Sequence, residues 1–253
     1  MNEIAVQLYT MRNVEKSLPD KLKLVADAGY DGVEFAYQLP GSDLHQVTTA
    51  PDQLDLSVAG VHVMFEATAA GIDGVEGLEI ETVSEICTGV GTQNVVVPYL
   101  NKSYFESAEA IEETAELLSN LSAAADEYGL TLYYHNHEQE FQQIDGEFAF
   151  HRLAQQTDIP FEFDTGWAAY AGADPSAVLQ QYSDRISLVH IKDVDEDTGE
   201  ATQLGEGCLD LGNLRETLLK LNSPGVIYEY DNATEPVESV NTGYQRLANN
   251  VLD

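Results

Sequence analysis

Short apolar runs rich in Val, Ile, Phe and Tyr alternate along the whole chain with longer stretches whose apolar residues recur at helical spacing. The short runs predict strands over Ile4–Tyr9, Gly32–Ala36, Ser57–Met64, Asn94–Val97, Leu130–His137, Phe161–Asp164, Ile186–Lys192 and Gly225–Tyr230. The longer stretches predict helices starting near Leu18, Leu44, Val75, Ser103, Glu147, Pro175, Leu211 and Pro236. The pattern is weakest at Leu44, where β-branched residues and Pro51 interrupt it. Several helices run into turn chemistry that delivers the next strand, as in Ala28-Gly29-Tyr30-Asp31-Gly32, Tyr128-Gly129 and Ser223-Pro224-Gly225.

Eight strands, each followed by a helix, within 253 residues match the count of a (β/α)₈ barrel. The expected fold class is therefore α/β, a single TIM barrel domain over residues 1–253. A doubly wound sheet fits less well, because no glycine-rich phosphate loop follows the first strand. In a parallel barrel the strands should be almost wholly apolar, and chemistry should gather where their C-terminal ends converge. Those ends carry Gln7 and Tyr9, Glu34, His62 and Met64, Tyr99, His135-Asn136-His137, Asp164, His190 and Lys192, and Glu229 and Asp231.

Alternation along each strand decides which of these face inward. His135 and His137 share a side, His190 shares one with Lys192, and Glu229 shares one with Ile227 and Asp231. Asp164 is paired in parity with Glu162. One consistent choice points His135, Asp164, His190 and Glu229 at a common centre from strands five to eight. Two imidazoles and two carboxylates form a mixed nitrogen and oxygen set for one divalent metal ion: Mn²⁺, Co²⁺, Fe²⁺ or Zn²⁺ rather than Ca²⁺, with Mg²⁺ also admissible. Each residue has a plainer reading as a hydrogen-bonded strand end, and Asp164 as a helix cap, but four successive strands ending this way favour a site.

Composition narrows the partners. With 44 acidic and 11 basic residues the formal net charge is −33. Such a polyanion argues against nucleic acid, which needs clustered Lys and Arg, and against an anionic membrane surface. No apolar run approaches the roughly 20 residues needed to span a bilayer. No basic leader precedes the first strand, and the two cysteines form no metal or redox spacing, so a reducing cytoplasm is expected. The acid is spread along the whole chain and Lys is scarce, a balance suited to a salt-accumulating halophile, where the screening length falls to ~3 Å at 1 M. The pattern is also compatible with a homo-oligomer.

The runs Tyr134-His135-Asn136-His137-Glu138-Gln139-Glu140-Phe141, Asp164-Thr165-Gly166-Trp167-Ala168, Val189-His190-Ile191-Lys192-Asp193 and Gly205-Glu206-Gly207 resemble the xylose isomerase-like TIM barrel family, and within it the sugar phosphate isomerase/epimerase branch. Val6-Gln7-Leu8-Tyr9-Thr10 and Gly29-Tyr30-Asp31-Gly32-Val33-Glu34 resemble that branch as well. The branch includes ketose epimerases, hydroxypyruvate isomerase and inosose dehydratase. The resemblance implies one divalent metal held by Glu, Asp, His and Glu at the ends of strands five to eight. Asp164, His190 and Glu229 fall on the last three positions, and His135 stands in the first. The implied reaction is proton abstraction next to a carbonyl through a metal-held enediolate. In epimerases two glutamates serve as a base on each face, so His135 breaks that pair. Glu229 remains as one base, and Glu34, His62, His137 or Glu140 would have to serve the other face.

The expected function is thus a metal-dependent isomerase or epimerase acting on a sugar or sugar phosphate. An inosose dehydratase-like lyase on a keto-cyclitol or keto-sugar is the close alternative. The catalytic candidates are Glu34, Glu229, Lys192 and His137. Lys192 would stabilise an oxyanion, or else form a rim salt bridge with Asp193 or another acid. The substrate-binding candidates are His62, Trp167, Glu140 and Tyr9, with His62 equally readable as packing and Trp167 as a cover for the barrel mouth. An apurinic-site endonuclease shares part of the motif set, but Trp167 cannot ligate and no histidine occupies the loop after His190. A sugar-binding barrel without turnover is the remaining alternative.

Overall fold

A computed structural model of the chain describes residues 3–36, 50–69, 77–221 and 224–252. Eight parallel strands close into a barrel: β1 (Ile4–Gln7), β2 (Gly32–Phe35), β3 (Ser57–His62), β4 (Asn94–Val97), β5 (Thr131–His135), β6 (Phe161–Asp164), β7 (Ile186–Ile191) and β8 (Gly225–Tyr228). β1 closes the ring by pairing with β2 on one side and β8 on the other. The helices between them are α1 (Leu18–Ala28), α2 (Ile80–Val90), α3 (Ala108–Glu127), α4 (Ala149–Gln156), α5 (Pro175–Gln181), α6 (Leu211–Leu218) and α7 (Pro236–Leu247). The helix expected near Leu44 lies outside the described residues, as does Val75, and α2 begins at Ile80.

Local chemistry explains the joints. Ser17 caps α1 by accepting the Asp20 N–H, and Pro19 sits in the first turn. The same helix ends at Gly29, whose φ of +103° is left-handed and where a Cβ would meet the Tyr244 ring at 2.9 Å. Several short elements were not anticipated, two of them at the joints around β6. Asp145-Gly146, both with positive φ, turn a small hairpin that pairs Gln143–Ile144 with Glu147–Phe148 and delays α4 to Ala149. A short helix, Thr165–Tyr170, follows β6 directly.

Alternation separates two apolar layers. Val6, Val33, Val95, Tyr134, Phe163, Val189 and Tyr228 point outward into the large core beneath the helices. Ala5, Val96, Tyr133, Leu188 and Ile227 fill the barrel interior. Two residues further along β1, β5, β7 and β8 the interior turns polar, at Gln7, His135, His190 and Glu229. The predicted strands run on too far at this end, since pairing stops at Gln7, His62, His135, Ile191 and Tyr228. His137, Lys192, Glu229 and Asp231 therefore stand just past the strand ends, at the mouth, with the Glu229 N–H still donating to the Ile191 carbonyl.

Candidate active site

The barrel mouth opens into a cavity of about 440 Å³ whose lining includes Tyr9, His62, His135, His137, Trp167, Lys192 and Glu229. Beneath it His135, Asp164, His190 and Glu229 offer four ligand atoms, all within 4.8 Å of one another. β6 and β7 set Asp164 level with His190, and the Asn136 side chain holds the Asp164 backbone through both its N–H and its C=O. Asp164 does two things at once. Its Oδ1 accepts the Trp167 N–H at 2.8 Å and caps the short helix, while its Oδ2 is buried with no hydrogen-bond partner.

The separations within this set suit a cation. His190 Nδ1 lies 3.2 Å from Glu229 Oε2 and 4.0 Å from Asp164 Oδ2, and His135 Nε2 lies 3.8 Å from Asp164 Oδ2. Ligands about 2.1 Å from one metal ion stand roughly 3.0 Å apart when adjacent and up to about 4.2 Å apart when opposite, and the three separations fall inside that range. An orphaned carboxylate oxygen, two imidazoles and a second carboxylate at these spacings fit a divalent transition metal.

A second, deeper set shares the two histidines. Glu162 Oε2 lies 2.7 Å from His62 Nε2, 2.9 Å from His135 Nδ1 and 3.3 Å from His190 Nε2. Glu34 Oε2 lies 2.7 Å from His190 Nε2, 3.0 Å from His62 Nε2 and 2.8 Å from the Gln7 amide that donates to it. Glu34, expected as a second base across the barrel from the metal set, is instead fully buried against His190 and does not line the cavity. Glu162 was visible in the sequence only as a parity mate of Asp164. The available signal was an acid in the middle of the otherwise aromatic strand Phe161-Glu162-Phe163.

Electrostatics divide these groups into charged and neutral. Burial opposes ionisation of Glu34, yet His62 and His190 hold its carboxyl below the ordinary range. Burial alone would lower His62, but Glu34 and Glu162 push it up to about 10. Burial keeps the His135 imidazole well below its usual value, against the Glu162 hydrogen bond. Burial, joined by the charge of Lys192, pushes His137 down to about 3. Burial pushes Asp164 up to about 6 despite Lys192 and His190. Burial works against the Glu229 carboxylate, but Lys192 and His190 keep it ionised.

Lys192 is buried with its Nζ 2.7 Å from Asp231, 2.8 Å from Glu229 and 3.6 Å from Asp164, which together hold it protonated against its desolvation. The alternative partner, Asp193, is occupied elsewhere: its carboxylate accepts the backbone N–H groups of Val194, Gly205, Gly207 and Leu209 and ties down the Gly205–Gly207 loop. Trp167 stacks on His137 at 5.8 Å between centroids, and the buried Trp167 Nε1 and His137 Nδ1 have no hydrogen-bond partner. Tyr9 lines the cavity with the Arg12 guanidinium 3.9 Å over its ring. Glu140, expected to touch substrate, is fully buried away from the cavity. It accepts the Tyr134 hydroxyl and the His137 N–H, closing a capping box on the turn Glu138–Phe141, and burial pushes it up to about 8.

The model of the family described as xylose isomerase-like TIM barrel matches residues 22–249. The inosose dehydratase of Clostridium beijerinckii is 26% identical over 247 residues, covering 84% of this chain and 81% of that protein. A sugar phosphate isomerase/epimerase from Parabacteroides distasonis superposes with a TM-score of 0.83 at 16% identity, over 98% of both chains. The 3-keto-D-glucoside 4-epimerase YcjR from E. coli superposes with a TM-score of 0.74 at 20% identity, over 98% of this chain and 99% of that one.

Proposed function

The chain belongs to the xylose isomerase-like TIM barrel family, and from that premise we propose that it is a divalent-metal-dependent lyase that removes water from an uncharged keto-cyclitol or keto-sugar. The observation that carries this reading is the asymmetry of the cavity. Glu229, an ionised carboxylate, and His62, a protonated imidazole, both line it. Elimination needs one base for the C–H next to the carbonyl and one acid for the departing hydroxyl. His62 meets Glu34 and Glu162 through Nε2, which leaves Nδ1 as the nitrogen not held by them.

A divalent ion bound by His135, Asp164, His190 and Glu229 would supply Lewis-acid polarisation of the substrate carbonyl. The chain's own groups do the rest. Glu229 takes the proton. The Lys192 ammonium lies beside it and meets negative charge developing on oxygen. The stacked rings of His137 and Trp167 line the cavity and shape the wall that a substrate meets.

The absence of a phosphate on the substrate follows from where the cations are. Among the described residues the cationic side chains lining the cavity are Arg12, Lys192 and His62, and His62 is held by Glu34 and Glu162. Lys192 is committed to three carboxylates. Arg12 donates to the Tyr9 carbonyl and to Asn232 while it covers the Tyr9 ring. Residues 37–49 and 70–76 contain no Lys or Arg. A phosphate entering this mouth would meet carboxylates.

An epimerase is the second reading, favoured by the neutral His137 imidazole as a second proton acceptor lining the cavity. The test is product analysis with neutral inososes and keto-sugars, with and without Mn²⁺ or Co²⁺. Metal-dependent loss of water supports the lyase. An isomeric product of unchanged mass supports the epimerase, and processing confined to phosphorylated sugars contradicts the substrate class.

A further inference from the structure

The deeper carboxylates need a reason of their own. The interior of a barrel is ordinarily filled by branched apolar side chains, and a carboxylate taken out of water costs several kcal/mol before its partners offset it. Glu34 and Glu162 are nevertheless fully buried, each with one oxygen that has no hydrogen-bond partner. The backbone is adjusted for both. Register shifts interrupt the β2–β3 ladder between Val33 and Glu34 and the β6–β7 ladder between Phe161 and Glu162. Such irregularities re-aim side chains beside functional sites. Gly60, opposite Glu34 on β3, leaves the room that Glu34 occupies, since a Cβ there would stand 2.9 Å from its Oε1.

The two histidines face both ways. His135 turns Nδ1 to Glu162 at 2.9 Å and Nε2 toward Asp164 at 3.8 Å. His190 turns Nε2 to Glu34 at 2.7 Å and Nδ1 toward Glu229 at 3.2 Å. At His135 the two sides differ: the deep contact of 2.9 Å is a hydrogen bond, and the shallow one of 3.8 Å is too long for one, whereas His190 is within hydrogen-bond reach of a carboxylate at both nitrogens. A neutral imidazole has one N–H and one lone pair, and the partner of the N–H decides which nitrogen is left to ligate.

We propose that Glu162, held in place by His62, is a positioning residue that fixes the proton of His135 on Nδ1, so that His135 ligates through Nε2. The proposal rests on the metal reading above for its consequence, and on the geometry of the His135 imidazole alone for the tautomer. The competing arrangement is a cation in the deeper set of His62, His135, Glu162 and His190, whose ligand atoms also lie within 4.8 Å of one another.

The test titrates Co²⁺ alone into the full chain and into Glu162→Gln, His62→Gln and Asp164→Asn, with melting of the metal-free proteins and imidazole ¹⁵N spectra of the wild type. The expected result is tight binding of one Co²⁺ by the wild type and about 10- to 100-fold weaker binding by Glu162→Gln, the usual effect of losing an outer hydrogen-bond partner. The Co²⁺ spectrum of that variant should also change. His62→Gln should lose less than Asp164→Asn, and His135 should carry its proton on Nδ1 in the metal-free wild type. Unchanged affinity in a folded Glu162→Gln overturns the proposal. So does His62→Gln losing as much as Asp164→Asn, which would place the cation in the deeper set. If the wild type binds no Co²⁺, the metal reading fails. The tautomer claim then stands or falls on the ¹⁵N spectrum, which needs no variant, and a proton on His135 Nε2 overturns it.

Discussion

Asp164→Asn separates what this side chain does for the fold from what it does for a cation. Asparagine keeps an oxygen to accept the Trp167 N–H, now 2.8 Å from Oδ1, and Asn and Asp cap helices about equally well. What changes is Oδ2, buried and without a hydrogen bond. In the metal-free fold burial raises the Asp164 pKa to about 6, against 3.8 in an unfolded chain. Because the folded value is the higher one, the group's stabilising contribution is complete below about pH 4 and is lost as pH rises through 6. At pH 8 the full gap is worth about 3 kcal/mol against the wild type. The attraction of Lys192 at 3.6 Å is already contained in that gap, and the amide nitrogen that replaces Oδ2 is buried beside the ammonium, so a net gain of about 1–2 kcal/mol is expected. For a chain of this size that raises Tm by about 2–8 °C. The assay is calorimetric melting in chelator at pH 4 and pH 8, repeated with Mn²⁺ or Co²⁺. The variant should melt higher than the wild type at pH 8, with the gap closing at pH 4. Added metal should raise the wild type more than the variant, since binding to the folded state adds stability in proportion to RT ln(1 + [L]/Kd). A metal-free variant that melts below the wild type at pH 8 would refute the idea that Asp164 is held there at a cost for a ligand.

With a net charge of −33, Tm should rise with KCl from low to molar concentration as screening shortens the repulsion, and a flat or falling curve would remove the halophile reading. Glu140→Ala strips the acceptor from two donors, the Tyr134 hydroxyl and the His137 N–H, and should cost about 2–4 kcal/mol of stability in denaturant unfolding; a neutral result would show that water replaces it. Gly60→Ala drives a methyl to 2.9 Å from Glu34 Oε1 and should destabilise by about 1–3 kcal/mol while also weakening metal binding; an unperturbed variant would mean that the Glu34 carboxylate is free to move.

The barrel was legible because its grammar is local. Each strand is a short apolar run, and each joint carries a cap or a turn residue. The four converging strand ends were legible because parity along a strand is strict, and His135, Asp164, His190 and Glu229 do meet. Other features depend on what lies across the barrel. Glu34 reads as a mouth residue from β2 alone, and only the pairing of β2 with β1 and β3 shows it buried beneath His62 and His190. Glu162 carries no motif, and its role appears once three histidines from three other strands converge on one of its oxygens. Glu140 was misassigned although its spacing was informative: a polar residue followed three positions later by Glu is the pattern of a capping box. Asp145-Gly146 between Gln143-Ile144 and Glu147-Phe148 was likewise a readable hairpin signal.

The central claim is that this mouth removes a proton from the carbon beside a carbonyl with Glu229 as base and a divalent ion as its electrophile. Deuterium exchange at that carbon tests it most directly: an inosose is incubated in D₂O with metal-loaded protein, with chelated protein, and with metal-loaded Glu229→Gln. The account predicts deuterium uptake or water loss with the loaded wild type and at least a hundredfold slower reaction in the other two, in line with the roughly 10²–10⁴-fold worth of general acid–base help. Reaction at the same rate after chelation, or in a folded Glu229→Gln that still binds metal, would contradict it.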